Sequence, residues 1–222
     1  MSAPLLALEG ARKRFGDRTI FHIARLEIEE GRSYVLTGPN GSGKTTLLRM
    51  LAGLEAGEAK RFAFRGAPAA FAPRYPGALH RAIVYVHQHP YLFHTSLRHN
   101  MEYGLKCRGV AREERRRRVE EAIAWSGLAD REATPPAGLS GGEKQRAALA
   151  RVRVLQPELM LLDEPTANLD REGRAQTLAL LAQLRDERRT VIVACHDQEV
   201  IALDGLVRWH LEDGSLSQGD GK

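Results

Sequence analysis

Residues Gly38-Pro39-Asn40-Gly41-Ser42-Gly43-Lys44-Thr45 constrain this chain more than any other stretch of it. They satisfy the phosphate-loop pattern G-x-x-x-x-G-K-[S/T] at every fixed position. Glycines let the backbone take positive φ and turn a run of N–H groups toward phosphate oxygens. A helix that starts near Lys44 aims the positive end of its dipole at the same oxygens. Lys44 adds a point charge for β and γ phosphates, and the Thr45 hydroxyl suits Mg²⁺. The flanks agree: Ser33–Thr37 is a β-rich run and Thr45–Leu54 has helical character, stopping near Gly53 or Gly57. A glycine-rich strand-to-helix turn without a ligand is the plainer reading. A match at every constrained position, in the right context, sets it aside.

Two further segments carry chemistry. Leu159-Met160-Leu161-Leu162 reads as a buried parallel strand, with Asp163 and Glu164 at its C-terminal end. Ligands of open α/β sheets gather at that edge. Asp163 suits Mg²⁺ held through its water shell, and Glu164 suits polarisation of an attacking water. Alone, two acids at a strand exit are an ordinary solvated turn; downstream of a complete phosphate loop they are not. Leu139-Ser140-Gly141-Gly142-Glu143-Lys144-Gln145 places Glu143 three residues after Ser140, a capping-box spacing. This is a second helix start able to receive an anion, although spacing alone leaves a merely well-capped helix open.

Along the chain, Leu5–Glu9, Ala11–Phe15, Phe21–Ile28, Ser33–Thr37 and Ile83–His87 read as strands. Residues Ala56–His80, with Pro68, Pro73 and Pro76, read as irregular and mostly looped. Ser96–Ala129 turns helical, and a helix from Gly142 to Leu155 ends before Gln156-Pro157. Strand 159–162, helix 172–187, strand 190–195, helix 198–203 and a hairpin about Asp213-Gly214 complete the pass. Strands alternating with helices imply a parallel sheet covered on both faces, interrupted by a helical insertion.

Composition narrows the class. Of 222 residues, 43% are hydrophobic and 27% charged, as in a soluble globular protein. No apolar run approaches the roughly 18–20 residues of a membrane span. Met1–Gly10 has no cationic stretch before its apolar residues, so no signal peptide is expected and a cytoplasmic location is. Cys107 and Cys195 lack metal-type spacing and read as free thiols. The net charge of +5 draws on the run Arg112–Arg118, which with its flanking acids reads as the solvated face of an amphipathic helix rather than a nucleic-acid patch. His87, His89, His94 and His99 crowd one region without acids or cysteines in ligand spacing, and read as polar loop residues.

Taken together, the chain resembles a nucleotide-binding subunit of the ATP-binding cassette (ABC) family. LSGGEKQ matches the family signature, GPNGSGKTT at Gly38–Thr46 the Walker A motif, and LMLLDEP at Leu159–Pro165 Walker B with its glutamate. Gln88 stands at the Q-loop position, Ala167-Asn168-Leu169-Asp170 resembles the D-loop, His196 is in the switch position, and Phe15 takes the place of the adenine-stacking aromatic. The resemblance implies one cassette over 1–222: a P-loop NTPase α/β core (1–88 and 156–222) with a mostly parallel sheet, an N-terminal antiparallel β-subdomain, and an inserted helical subdomain (89–155). It implies ATP and Mg²⁺ as cofactors. Glu164 and His196 would be catalytic, and Thr45, Gln88 and Asp163 would serve the metal. Phe15, Gly38, Pro39, Asn40, Gly41, Ser42, Gly43, Lys44, Thr45, Thr46, Gln88 and Asp170 would serve the nucleotide, with Ser140, Gly141 and Gly142 contacting that of a second, head-to-tail copy.

The implied partners are that second copy, transmembrane permease subunits and a separate solute-binding protein, at the inner face of the plasma membrane, with no nucleic acid. Tyr91, Leu92 and Phe93 are the expected permease-facing residues, inward packing being the alternative. Asn100–Gly109 resembles the N-x-x-YGL-x-x-RG stretch of oxyanion, metal-ion and polyamine importers, with tungstate, molybdate or phosphate uptake closest in look. The alternative is a soluble DNA-repair or chromosome ATPase of the family; those insert a long coiled coil, whereas here fewer than 100 residues separate Lys44 from Ser140 and no sustained heptads appear. Three departures from the family stand out. The segment 56–81 lacks its ordered strands, Arg151–Val154 replaces an alanine-rich run, and the end soon after the Asp213-Gly214 hairpin suggests no C-terminal regulatory domain.

Overall fold

The computed structural model describes residues 3–71, 73, 75 and 77–219. In chain order the elements are β1 (Leu6–Phe15), β2 (Arg18–Ile28), β3 (Ser33–Thr37), α1 (Lys44–Leu51), β4 (Arg61–Phe64), β5 (Ala67–Pro68), α2 (Gly77–Ala82) and β6 (Ile83–Val86). They continue with α3 (Leu97–Cys107), α4 (Arg112–Trp125), α5 (Gly141–Arg153), β7 (Leu159–Asp163), α6 (Arg171–Asp186), β8 (Val191–Ala194), α7 (Gln198–Ile201), β9 (Val207–Glu212) and β10 (Ser215–Gly219). This is the α/β P-loop NTPase fold with a mixed central sheet and an antiparallel N-terminal sheet. The chain divides into two compact units. One comprises Met1–Tyr85, Glu158–Glu164 and Leu184–Lys222; the other comprises Val86–Pro157 and Pro165–Gln183.

The first unit is built on the central sheet, ordered β10-β9-β3-β8-β7-β6. Its middle strands are buried on both faces, which is why Ser33–Leu36, Leu159–Asp163 and Val191–Ala194 are nearly unbroken apolar runs. β3 runs parallel to β8 and β9, and β7 parallel to β8. The antiparallel β9–β10 hairpin closes the edge, with Glu212 opposite Ser215. The second sheet, ordered β2-β1-β4-β5, pairs β1 with β2 along nearly its whole length. β1 is one strand rather than two because Gly10, at φ 59°, lets the backbone continue between Glu9 and Ala11.

The segment 56–81 corrects the sequence reading. It holds β4 and β5, with Leu6↔Phe64 and Glu9↔Arg61 in antiparallel register, and then α2. The short run Arg61–Phe64 is too brief to carry a strand signal of its own. It becomes a strand because β1 offers an edge and because Phe62 packs on Phe71 and stacks on Tyr75, ring centroids 5.3 and 5.6 Å away. Residues 72, 74 and 76 of that segment lie outside the described residues, as do Met1 and Ser2 of the N-terminal reading.

The second unit packs α3, α4 and α5 around Leu97, Met101, Leu105, Val119, Ile123, Ala147 and Ala150. The arginine run forms the solvated face of α4. Arg117 pairs with Glu114 and Glu121, and Arg118 with Glu114, whose carboxyl is thereby held at about 2. Leu92 points into this core, whereas its neighbour Tyr91 is 65% exposed, so the Tyr91–Phe93 trio is divided between the two alternatives. Asn100, fully buried on α3, anchors the loop before its own helix. Its Oδ1 accepts from Phe93 N at 2.7 Å, and its amide donates to the carbonyls of Phe93 (3.0 Å), Thr95 (3.3 Å) and Ser96 (3.1 Å). Asn100→Ala strands several of these groups. We expect it to lower unfolding free energy by roughly 2–3 kcal/mol, read as a fall in urea midpoint at constant slope.

Candidate nucleotide site

Strand register brings the first unit's chemistry together. Leu36 and Asp163 both pair with Ala194, so β3, β7 and β8 end level. The residues that follow each strand — the 38–45 loop, Glu164 and His196 — therefore emerge at one edge. Gly38, at φ 141°, is obligatory: a Cβ there would lie 2.1 Å from the Leu211 carbonyl oxygen on β9. Gly43, at φ 105°, would put a Cβ 2.8 Å from Ile20 on β2. The glycines thus let the loop turn tightly against two neighbouring strands before α1 begins at Lys44.

Lys44 is the hub. Its ammonium donates to the carbonyls of Gly38 (2.9 Å) and Pro39 (3.1 Å) and lies 2.9 Å from His196 Nε2. An ammonium has only donors, so Nε2 accepts and the imidazole proton sits on Nδ1. In that tautomer Nε2 has no proton for Glu164 Oε1, 3.5 Å away; the Glu164 carboxylate accepts instead from the His196 backbone N–H. Burial lowers the Lys44 pKa, and Glu164 and Asp163 pull it back up. Burial raises Glu164, and His196 and Lys44 oppose that rise. Glu164 also holds φ 47°, and its N–H donates to Ala194 O at 2.8 Å. Burial pushes the neighbouring Cys195 thiol up to about 12, which keeps it protonated and inert.

Asp163, 3% exposed, has both oxygens engaged: Oδ1 accepts from Thr45 Oγ1 at 3.1 Å and Oδ2 from Tyr85 at 2.8 Å. Tyr85 escaped the sequence reading because one tyrosine in a four-residue strand carries no signal of its own. It stands out only once β6 is placed beside β7. Lys13 was missed likewise. Its ammonium, bonded to Glu55 and to Ala56 O, lies 4.4 Å from the ring centroid of Phe15, which is 52% exposed. Residues 13 and 15 share a strand face, the one available clue.

The residues fit a triphosphate and a hard cation. Ser42 Oγ is buried in the loop with no hydrogen-bond partner among the described residues. The space beside Gly41 is open, with nothing within 4 Å of a Cβ placed there. A hydroxyl and a carboxylate, Thr45 and Asp163, form an oxygen donor set of the kind Mg²⁺ takes.

The second unit holds Gln88, Ser140, Gly141, Gly142 and Asp170. Ser140 caps α5 in a complete capping box: its Oγ accepts from Glu143 N at 3.2 Å, and Glu143 Oε2 accepts from Ser140 N at 2.7 Å. Arg131 holds the other Glu143 oxygen at 3.0 Å. A Cβ on Gly142 would meet Gly173 Cα at 2.9 Å, so the starts of α5 and α6 touch through bare backbone. Asp170 caps α6 through Gly173 N at 2.8 Å. The sequence-predicted residues therefore fall into two groups. Phe15, Gly38–Thr46, Asp163, Glu164 and His196 lie on one unit; Gln88, the signature and Asp170 lie on the other.

A parallel sheet whose level strand ends carry a phosphate loop and two acids defines a P-loop nucleoside triphosphatase fold. The sequence model of the family described as ABC transporter matches residues 21–167, and the chain belongs to that family. It is 38% identical to the Fe(3+) ions import ATP-binding protein FbpC of Rhizobium etli, over 96% of this chain and 60% of that protein. It is 39% identical to the spermidine/putrescine import ATP-binding protein PotA of Pseudomonas aeruginosa, over 91% of this chain and 56% of that protein. The chain thus spans about three fifths of the length of these relatives. Among solved structures it is similar to cbiO1 from Clostridium perfringens, part of the ABC transporter complex cbiONQ. The TM-score is 0.88 at 28% identity, covering 99% of this chain and 90% of that one. It is also similar to a dimeric ATP-binding cassette in a post-hydrolysis state bound to ADP and Pi, with TM-score 0.83 and 27% identity over 98% and 99% of the two chains.

The geometry generates a titration. The Glu164 carboxyl, followed by carbon-detected NMR and assigned with Glu164→Gln, is expected to protonate above the ordinary glutamate value of about 4.3. Lys44→Met removes a charge that lowers this pKa, so the midpoint should climb further. A midpoint at or below the ordinary value contradicts the buried site.

Proposed function

We propose that this chain is the ATP-binding and ATP-hydrolysing subunit of an ABC importer, a single cassette over 1–222. The observation that carries the reading is the convergence of Lys44, Asp163, Glu164 and His196 where β3, β7 and β8 end level. Lys44 and the loop N–H groups hold the β and γ phosphates, with Ser42 Oγ and Thr46 at the same loop. Phe15 offers an open ring face to adenine while Lys13 backs it. Mg²⁺, when bound, would be held by Thr45 and, through water, by Asp163, and would neutralise charge on the phosphate oxygens. Glu164, its pKa raised by burial toward the range of a general base, accepts a proton from the attacking water. His196, its Nδ1 protonated and its Nε2 beside Lys44, orients the γ-phosphate end.

Two anion-binding helix starts in one chain are explained by head-to-tail pairing. Ser140–Gly142 at the start of α5, with Asp170, serves the nucleotide of a second copy. The dimeric state of a similar cassette supports this. Exposed Tyr91 and Tyr103 flank Phe93, at ring distances of 5.8 and 4.8 Å, and Arg151 holds the Tyr91 carbonyl at 2.7 Å. This ordered aromatic patch is the surface for the permease subunits. No helix among the described residues is long and apolar enough to cross a membrane, so the spanning part of the transporter belongs to those subunits, with the cassette peripheral at the cytoplasmic face. Import, with a separate solute-binding protein, is favoured by the import relatives. An oxyanion cargo rests on the Asn100–Gly109 stretch and on a sulfate/thiosulfate import relative from Synechocystis.

Two variants separate the roles. Glu164→Gln is expected to slow phosphate release by about 10²–10⁴-fold and to leave an ATP-stabilised dimer visible by size-exclusion chromatography. A variant as fast as the parent removes Glu164 from the chemistry. Ser140→Arg is expected to abolish hydrolysis yet leave ATP binding by dilute monomer intact in calorimetry. An equal loss of monomer affinity contradicts the divided site.

A further inference from the structure

We propose that Tyr85 is a positioning residue of the metal site, orienting Asp163 so that one carboxylate edge is reserved for Thr45 and the cation. The inference rests on the reading of Thr45 as a Mg²⁺ ligand and of Asp163 as holding the ion through its water shell, and adds a residue that no motif contains. Asp163 terminates a strand buried along all five residues, with almost no access to water. A carboxylate in such a place needs partners for its lone pairs, and a carboxylate that serves a metal is held by groups behind it. Here the division of labour is legible: Tyr85 Oη donates to Oδ2 at 2.8 Å, and Thr45 Oγ1 donates to Oδ1 at 3.1 Å.

The two donors differ in kind. The Thr45 hydroxyl keeps a lone pair that a cation can take while its proton still bridges to Oδ1. The Tyr85 phenol comes from β6, which neighbours β7 in the sheet, on a rigid ring that reaches the far oxygen. It fixes the rotation of the Asp163 carboxylate about its last torsion, a broad and soft coordinate when unopposed. Phenylalanine at this position fills the same space and leaves Oδ2 without a donor. Mg²⁺ tolerates little departure from octahedral geometry, whereas Mn²⁺ is less demanding, so the loss should fall mainly on Mg²⁺.

The test titrates Mg²⁺ into the full chain with a fluorescent ATP analogue, and repeats the nucleotide titration in EDTA. For Tyr85→Phe, the Mg²⁺ concentration at half effect should rise about 10–100-fold, as when other supports of a metal ligand are removed. The affinity in EDTA should stay at the parent value, the melting temperature without nucleotide should fall modestly as one buried carboxylate oxygen loses its donor, and Mn²⁺ should recover part of the loss. Tyr85→Met repeats the measurement if the phenylalanine variant is poorly folded. An unchanged Mg²⁺ half-point, or a loss equal with and without metal, overturns the proposal and makes Tyr85 a packing residue. Asp163→Asn separates the two levels. If it abolishes the Mg²⁺ effect while Tyr85→Phe does not, only the role of Tyr85 fails. If the parent shows no Mg²⁺ effect, the metal reading fails with it.

Discussion

The site hangs on the parallel pairing of three short strands. β3, β7 and β8 are five, five and four residues long, and their shared register through Ala194 makes them stop together. A slip of one residue in either pairing would turn each inward side chain outward and move Glu164 or His196 off the edge by a strand repeat. The same register explains why Gly38 tolerates no side chain. The loop must turn directly over the Leu211 carbonyl of β9, which itself pairs with β3. Core packing therefore sets the position of the chemistry. Tyr34 against Trp209, with ring centroids 4.5 Å apart, and Leu36, Leu161 and Ile192 beneath the site are what hold that register.

Charge at this edge is balanced rather than neutralised. One ammonium, two carboxylates and an imidazole lie close together, and Lys44 and Glu164 are both displaced from their ordinary values. Burial works against the charged forms of Lys44 and Glu164; the two acids favour the ammonium and the ammonium favours the Glu164 carboxylate, while Asp163 disfavours it. Lys44 meets this by turning its donors onto backbone carbonyls of its own loop and onto His196. The open space at Gly41 and the Ser42 hydroxyl, unpartnered among the described residues, are where a triphosphate would find room and a donor.

The second unit organises its signature residues by capping. Ser140, Glu143 and Arg131 form a chain of hydrogen bonds at the start of α5, and Asp170 does the equivalent for α6. Gly142 and Gly173 let the two helix starts approach backbone to backbone. Asn100 performs the same service for the loop that presents Tyr91 and Phe93, with four hydrogen bonds from one buried amide. Short polar side chains thus define the shape of surfaces that apolar packing alone would leave loose.

How much of this was legible beforehand follows from the range of the interactions involved. The phosphate loop, the apolar strand ending in Asp163-Glu164 and the Ser140 capping box are local in sequence, because their chemistry demands fixed residue types at fixed spacing. Their elements and the fold class could be read directly. The strands within 56–81 could not, since β4 exists by virtue of the β1 edge and the Phe62–Tyr75 stack, which join residues far apart in the chain. Leu92 and Tyr91 are adjacent and similar in hydropathy, yet one is core and the other surface, a choice made by the helices around them. Tyr85 and Lys13 follow the same rule. By itself the sequence determined the parts of a nucleotide site and the order in which they are strung. Tertiary structure alone decided which side chains stand behind those parts, because a partner across a sheet is set by strand pairing and not by spacing along the chain.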